Sequence, residues 1–101
     1  MRVIVMFDLP TETADDRASY ARFRKELIKD GYLMMQQSVY SKLVMNPLAG
    51  ELARDRVRKI SPSKGVIQAM IVTEKQYADI EYIIGGPNTK QENSTDRLVI
   101  F

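Results

Sequence analysis

The residue types this chain lacks narrow its chemistry before any motif is considered. Its 101 residues include no Cys and no His. That excludes thiol nucleophiles, imidazole acid–base catalysis, and every zinc site built from cysteine or histidine. Chemistry here must rest on carboxylates and on cations that prefer oxygen ligands. The plentiful reactive-looking group is instead the cationic side chain, and its distribution is uneven. Residues 17–29 carry Arg17, Arg22, Arg24, Lys25 and Lys29 against the single acid Glu26, a net +4. Residues 54–64 carry Arg54, Arg56, Arg58, Lys59 and Lys64 against Asp55, again a net +4. Since the whole chain is only +2, the rest is acidic, and two basic segments on an acidic scaffold point to a polyanion partner or to two solvated helix faces.

The elements that would position these groups follow from pattern. Arg2-Val3-Ile4-Val5-Met6-Phe7 is a near-continuous apolar run ended by Asp8-Leu9-Pro10, as in a central strand covered on both faces. Thr11 and Thr13 are candidate N-caps for a helix that the pattern predicts to run to about Asp30, closed by Gly31. On that helix Tyr20, Ala21, Phe23, Leu27 and Ile28 form an apolar arc that also takes in Arg17 and Arg24. Those arginines are expected to snorkel or pair with a carboxylate such as Asp8, or else to be held by packing for phosphate. Leu33 to Met45 reads as one strand bent at Gln36-Gln37-Ser38 or as two successive strands. Asn46-Pro47 starts a second helix with an apolar stripe of Ala49, Leu52, Ala53, Val57 and Ile60, leaving Arg54 and Arg58 opposite. A turn at Ser61 to Gly65 leads to a strand from Val66 to Thr73, and a short turn near Thr73 to Ala78 leads into the apolar run Ile80 to Ile84. Residues 85–96 form the loosest stretch, and Arg97 to Phe101 an apolar terminal strand.

A chain of this length makes one domain, residues 1–101. The order of elements predicts an α+β ferredoxin-like sandwich, βαββαβ plus a C-terminal strand, with two helices on one face of an antiparallel sheet. The other face then needs cover from the terminal strand or from a second copy, and a homodimer is the economical solution. Tyr40 and Phe7 are expected in the core or an interface, and the six methionines as core filler. No apolar run approaches the ~18 residues of a membrane span, so a cytoplasmic location is expected.

Several of these segments together resemble the small CRISPR-associated spacer-acquisition proteins, the Cas-two family. The resemblance is carried by Arg2 to Pro10, by the arginine-rich helix ending Asp30-Gly31-Tyr32, and by Gln37-Ser38-Val39-Tyr40-Ser41-Lys42-Leu43. Ser38 to Leu43 and Thr73-Glu74-Lys75-Gln76-Tyr77 look most like its type II branch. The resemblance implies a ferredoxin-like homodimer that bridges two dimers of a partner CRISPR integrase and holds a prespacer DNA duplex. It also implies a magnesium-dependent endonuclease, with the aspartate ending strand one as catalytic residue and metal ligand. That position is Asp8.

Asp8 alone makes a poor Mg²⁺ or Mn²⁺ site, because such ions want about six oxygens and commonly take one or two carboxylates plus substrate phosphates. Two Asp8 carboxylates near a dimer axis would share the ion, and nucleic-acid phosphate would complete its shell. The competing reading has Asp8 ending a strand and pairing with Arg17 or Arg24. Ser38 is given a supporting role only, since no base accompanies it. Nucleic-acid contacts are expected from Arg17, Arg22, Arg24, Lys25, Arg54, Arg56 and Arg58, to the phosphate backbone and without base readout. Three functions remain open: an adaptor for a duplex, a metal-dependent nuclease cutting RNA or DNA, and a stand-alone, toxin-like ribonuclease of the same fold.

Overall fold

The computed structural model describes residues 1–87. The sequence-predicted strand at 97–101 and most of the 85–96 loop lie outside them. The described elements are β1 (Arg2–Asp8), α1 (Ala14–Lys29), β2 (Leu33–Gln36), β3 (Val39–Leu43), α2 (Pro47–Ile60), β4 (Val66–Val72) and a short α3 (Glu74–Ala78). The first six spell βαββαβ. The sheet order is β2-β3-β1-β4 with every pair antiparallel, so the fold is ferredoxin-like, as the sequence predicts. No helix among the described residues is long and apolar enough to cross a membrane.

Strand alternation divides the sheet into two faces. Val3, Val5 and Phe7 are buried against the helices, with Phe23 and Leu27 from α1 and Ala53 and Val57 from α2. Phe7 sits at the hub, edge-on to Phe23 at 5.0 Å and stacked on Tyr40 at 5.7 Å between ring centroids. Gly50 lets α2 approach the sheet: a Cβ there would already lie 3.0 Å from the Ile71 side chain. The second face carries Ile4, Met6 and Asp8 from β1, in register with Met70, Gln68 and Val66 of β4. On it Ile4 and Ser41 are buried, while the apolar Leu33, Leu43, Val66 and Met70 are exposed.

Local signals account for the helix ends. The Thr13 hydroxyl accepts the Asp16 N–H and the Asp16 carboxylate accepts the Thr13 N–H, a complete capping box. At the other end Asp30 caps α1, and Gly31 follows at φ +99°, a left-handed conformation suited to glycine. Asn46 caps α2 by accepting the Ala49 N–H at 2.8 Å, with Pro47 as the first helical residue.

Three expectations need correction. The apolar arc of α1 is narrower than its pattern: Ile28 and Ala21 are exposed, because only the flank holding Phe23 and Leu27 meets the sheet. On α2, Leu52 is likewise exposed, and Gly50 takes the buried position instead. Met45 and Met70 are exposed rather than core filler. Ile80 to Ile84 forms no strand, and its side chains at Ile83 and Ile84 stand in solvent. An apolar run becomes a strand only with a ladder partner, and none of the four described strands pairs with it. The stretch from 33 to 45 resolves as two strands joined at Gln37-Ser38, with a register shift between Met34 and Gln36.

Candidate functional site

Asp8 ends β1 on the sheet face away from the helices, opposite Val66 of β4. It is exposed, and it has no hydrogen bond or ion pair among the described residues. The expected pairing with Arg17 or Arg24 is therefore absent there. Arg17 is exposed and turns back on its own helix entry, donating to the carbonyls of Thr11 and Glu12, each at 3.1 Å. Arg24 is exposed and unpaired among the described residues. The helical wheel placed both inside the apolar arc, but the sheet meets only the side of α1 that carries Phe23 and Leu27.

Backbone packing fixes Asp8 from three directions. Leu9, buried behind it, anchors the chain. Gly65 presses from β4's entry: at φ +93°, its Cβ, if present, would lie 2.7 Å from the Asp8 carbonyl oxygen and 2.7 Å from Leu9 Cδ2. Sequence reading saw Gly65 only as part of a turn; its positive φ is invisible without the fold. Ser38 supplies the third support. It sits at the hairpin tip at φ +65°, accepts the Phe7 N–H at 3.0 Å through its carbonyl, and shares a 3.4 Å hydroxyl contact with Tyr20 of α1.

Beside Asp8 in sequence, a cavity of about 270 Å³ opens between the start of α1 and the loop after α2, lined by Leu9, Pro10, Asp16, Ser19, Arg22 and Lys64. Lys64 approaches Asp16 at 3.6 Å. The Asp16 carboxyl is held below its ordinary value, first by the Thr13 backbone N–H; desolvation opposes this, and the Thr13 hydroxyl and Lys64 add to the lowering.

The cationic residues predicted to meet nucleic acid divide by partner. On α2, Arg54 donates to Glu51 at 2.7 Å and to the Ala69 carbonyl at 3.4 Å. Arg56 donates to both carboxylate oxygens of Asp30 at 3.1 Å, and Arg58 pairs with Asp55. On α1, Arg22, Arg24 and Lys25 have no partner among the described residues. Asp30 also takes Lys42 at 3.4 Å, so one carboxylate ties the end of α1 to β3 and to α2. Next to it Tyr32 is buried with an unpartnered hydroxyl, its pKa pushed up to about 12 by burial and then by the Asp30 charge.

No group of three or more acidic residues able to hold a metal ion occurs among the described residues. Asp8 offers a hard cation one unpaired, exposed carboxylate. Its oxygen donors suit Mg²⁺ or Mn²⁺ in kind, and fill only part of a six-oxygen shell.

The family model for the CRISPR associated protein Cas2 matches residues 1–80, which span β1 through α3. This chain belongs to the Cas2 family. It is 48% identical to the CRISPR-associated endoribonuclease Cas2 of Treponema denticola and 42% identical to that of Ligilactobacillus salivarius, each over the whole of both chains. It is 46% identical to the Cas2 endoribonuclease of Streptococcus mutans over all of this chain and 93% of that protein. Among solved structures it resembles the crystal structure of Streptococcus pyogenes Cas2 at pH 6.5, with a TM-score of 0.64 and 23% identity, covering 84% of this chain and all of that one. That likeness supports the Cas2 fold.

Proposed function

We propose that this Cas2-family chain works as a homodimer in CRISPR adaptation, supporting a prespacer DNA duplex between dimers of the partner integrase. A second activity goes with it: metal-dependent cleavage of phosphodiesters through Asp8. The observation that carries the second part is the free Asp8 carboxylate, exposed at the end of β1 on the sheet face away from the helices. The name endoribonuclease, borne by the full-length relatives, favours RNA as the cleaved substrate. A stand-alone, toxin-like ribonuclease is the competing reading, and it would need no integrase.

The apolar patch of Leu33, Leu43, Val66 and Met70 is the kind of surface a second copy covers. In such a dimer the two Asp8 carboxylates would hold Mg²⁺ or Mn²⁺ together with substrate phosphate. A bound ion supplies Lewis-acid polarisation of a phosphoryl oxygen. The chain's own part is to leave Asp8 free of arginine partners and to hold it in place through Ser38 and Gly65. No histidine exists in the chain to act as general base, so cleavage should be slow and should rise with hydroxide concentration.

The test is half-site and full-site integration of a short duplex into a repeat-bearing plasmid by the partner integrase. It is run with wild type, with Asp8→Ala, and without this protein. Integration that needs the protein but tolerates Asp8→Ala identifies an adaptor with dispensable nuclease chemistry. Loss with Asp8→Ala, while the protein stays folded, puts the carboxylate in the integration mechanism. Integration unaffected by omission overturns the adaptor reading and leaves the ribonuclease.

A further inference from the structure

We propose that the nucleic acid is gripped by one flank of α1, through Arg22, Lys25 and Lys29, and not by the arginines of α2. This inference rests on the nucleic-acid reading above and specifies its surface. Spacing comes first: residues three and four apart share a helix face, so Arg22, Lys25 and Lys29 form one stripe. At 1.5 Å rise per residue the steps between them are about 4.5 and 6 Å, on the scale that separates successive phosphates of a strand. All three are exposed.

Availability decides between the helices. None of these three cations has an ion pair or hydrogen bond among the described residues, whereas Arg54, Arg56 and Arg58 are each engaged by a carboxylate. A phosphate arriving at α2 must displace Glu51, Asp30 or Asp55 and leave a like charge beside itself. At α1 it displaces only water and counterions. The acids on the same flank are Glu26, between Lys25 and Lys29 in height, and Asp15 near the helix start; neither is paired to the stripe. Where the stripe ends, Lys29 and the equally unpaired Lys59 of α2 border a cavity of about 340 Å³.

The placement has a functional consequence. Helix α1 covers the face of the sheet defined by Val3, Val5 and Phe7, while Asp8 belongs to the opposite face. Duplex support and hydrolysis then occupy different sides of the molecule.

The test compares binding of a labelled short DNA duplex across a salt series for wild type, for Arg22→Gln with Lys25→Gln and Lys29→Gln, and for Arg54→Gln with Arg56→Gln and Arg58→Gln. Each phosphate contact contributes about 0.9 to the slope of log affinity against log salt. The α1 variant should lower the slope by nearly 3 per contacting protomer and weaken binding at least ~10-fold at low salt. The α2 variant should keep the wild-type slope. If it fails to fold, Arg58→Gln alone carries the comparison, because the Arg58 side chain is exposed. A slope lost only in the α2 variants, or kept in the α1 variant, overturns this assignment while duplex binding itself stands. Absence of duplex binding by wild type overturns the reading of function and the assignment together.

Discussion

The backbone N–H of Phe7 donates to the Ser38 carbonyl at 3.0 Å, which ties the tip of the β2–β3 hairpin to the residue before Asp8. Ser38 reaches this position in a left-handed conformation, φ +65°, that glycine adopts freely and β-branched residues resist. Its value to the site is thus its backbone. Ser38→Gly should keep cleavage and fold stability near wild type, while Ser38→Val should cost about 1–3 kcal/mol and slow cleavage. Denaturant melts alongside cleavage rates decide it. Loss of cleavage in a stable Ser38→Gly protein would instead make the hydroxyl chemically active.

Gly65 is the second support, and its substitution should be worse. An added methyl meets the Asp8 carbonyl and Leu9 together at 2.7 Å, and the φ of +93° penalises any side chain. Gly65→Ala should destabilise the protein by roughly 2 kcal/mol or more and reduce Asp8-dependent cleavage beyond what unfolding explains. Rates measured well below the melting temperature separate the two effects.

Tyr32 makes stability depend on alkaline pH. Its folded pKa is about 12 against an ordinary 10.0, so between those values the unfolded chain releases its proton while the folded one keeps it. Stability from this group is complete below pH 10 and is lost as pH rises toward 12, by on the order of 2 kcal/mol. Lys42 lies over the ring at 5.7 Å, so the comparison that isolates the phenol is with Tyr32→Phe. That variant should flatten this part of the profile. It should also gain about 1 kcal/mol at neutral pH by removing a buried hydroxyl with no partner. Urea melts from pH 8 to 11 would show both; a profile unchanged by the substitution would contradict the pKa.

Affinity for a duplex should fall steeply with salt. Six phosphates neutralised per dimer give a slope near −5 in log affinity against log salt, at about 0.9 per contact. A flat dependence would rule out phosphate-backbone binding.

The fold was legible in the sequence wherever one local signal decided the outcome. The β1 run broken by Pro10, the Thr13 and Asn46 caps, and Gly31 after α1 all mark boundaries the structure keeps, and their order specifies βαββαβ. Burial was less legible. Arg17, Ile28 and Leu52 all sit at helix angles next to the apolar stripe, and only the position of the sheet decides which flank is covered. For the same reason Ile80 to Ile84 has strand composition without being a strand. At the candidate site, Asp8 was visible through its place in a resembling motif. The contributions of Gly65 and of the Ser38 carbonyl depend on backbone angles and on contacts across 57 and 31 positions of chain, which no local pattern encodes. The division between paired and free arginines was hidden likewise, since Arg56 finds Asp30 only through the packing of α2 beside the end of α1.

The sheet order places β1, which is synthesised before both its neighbours, between β3 and β4. Its second neighbour begins only at Val66, so at ~5–20 residues per second β1 waits several seconds during synthesis with one edge open. An unpaired, apolar β1 edge is a template for strands of other nascent chains. The hairpin and α1 can close over Phe7 before β4 appears, which covers one face of β1 early and leaves its β4 edge as the part most exposed to misassembly. Translation speed between α2 and β4 is therefore a lever on soluble yield that leaves the native structure unchanged.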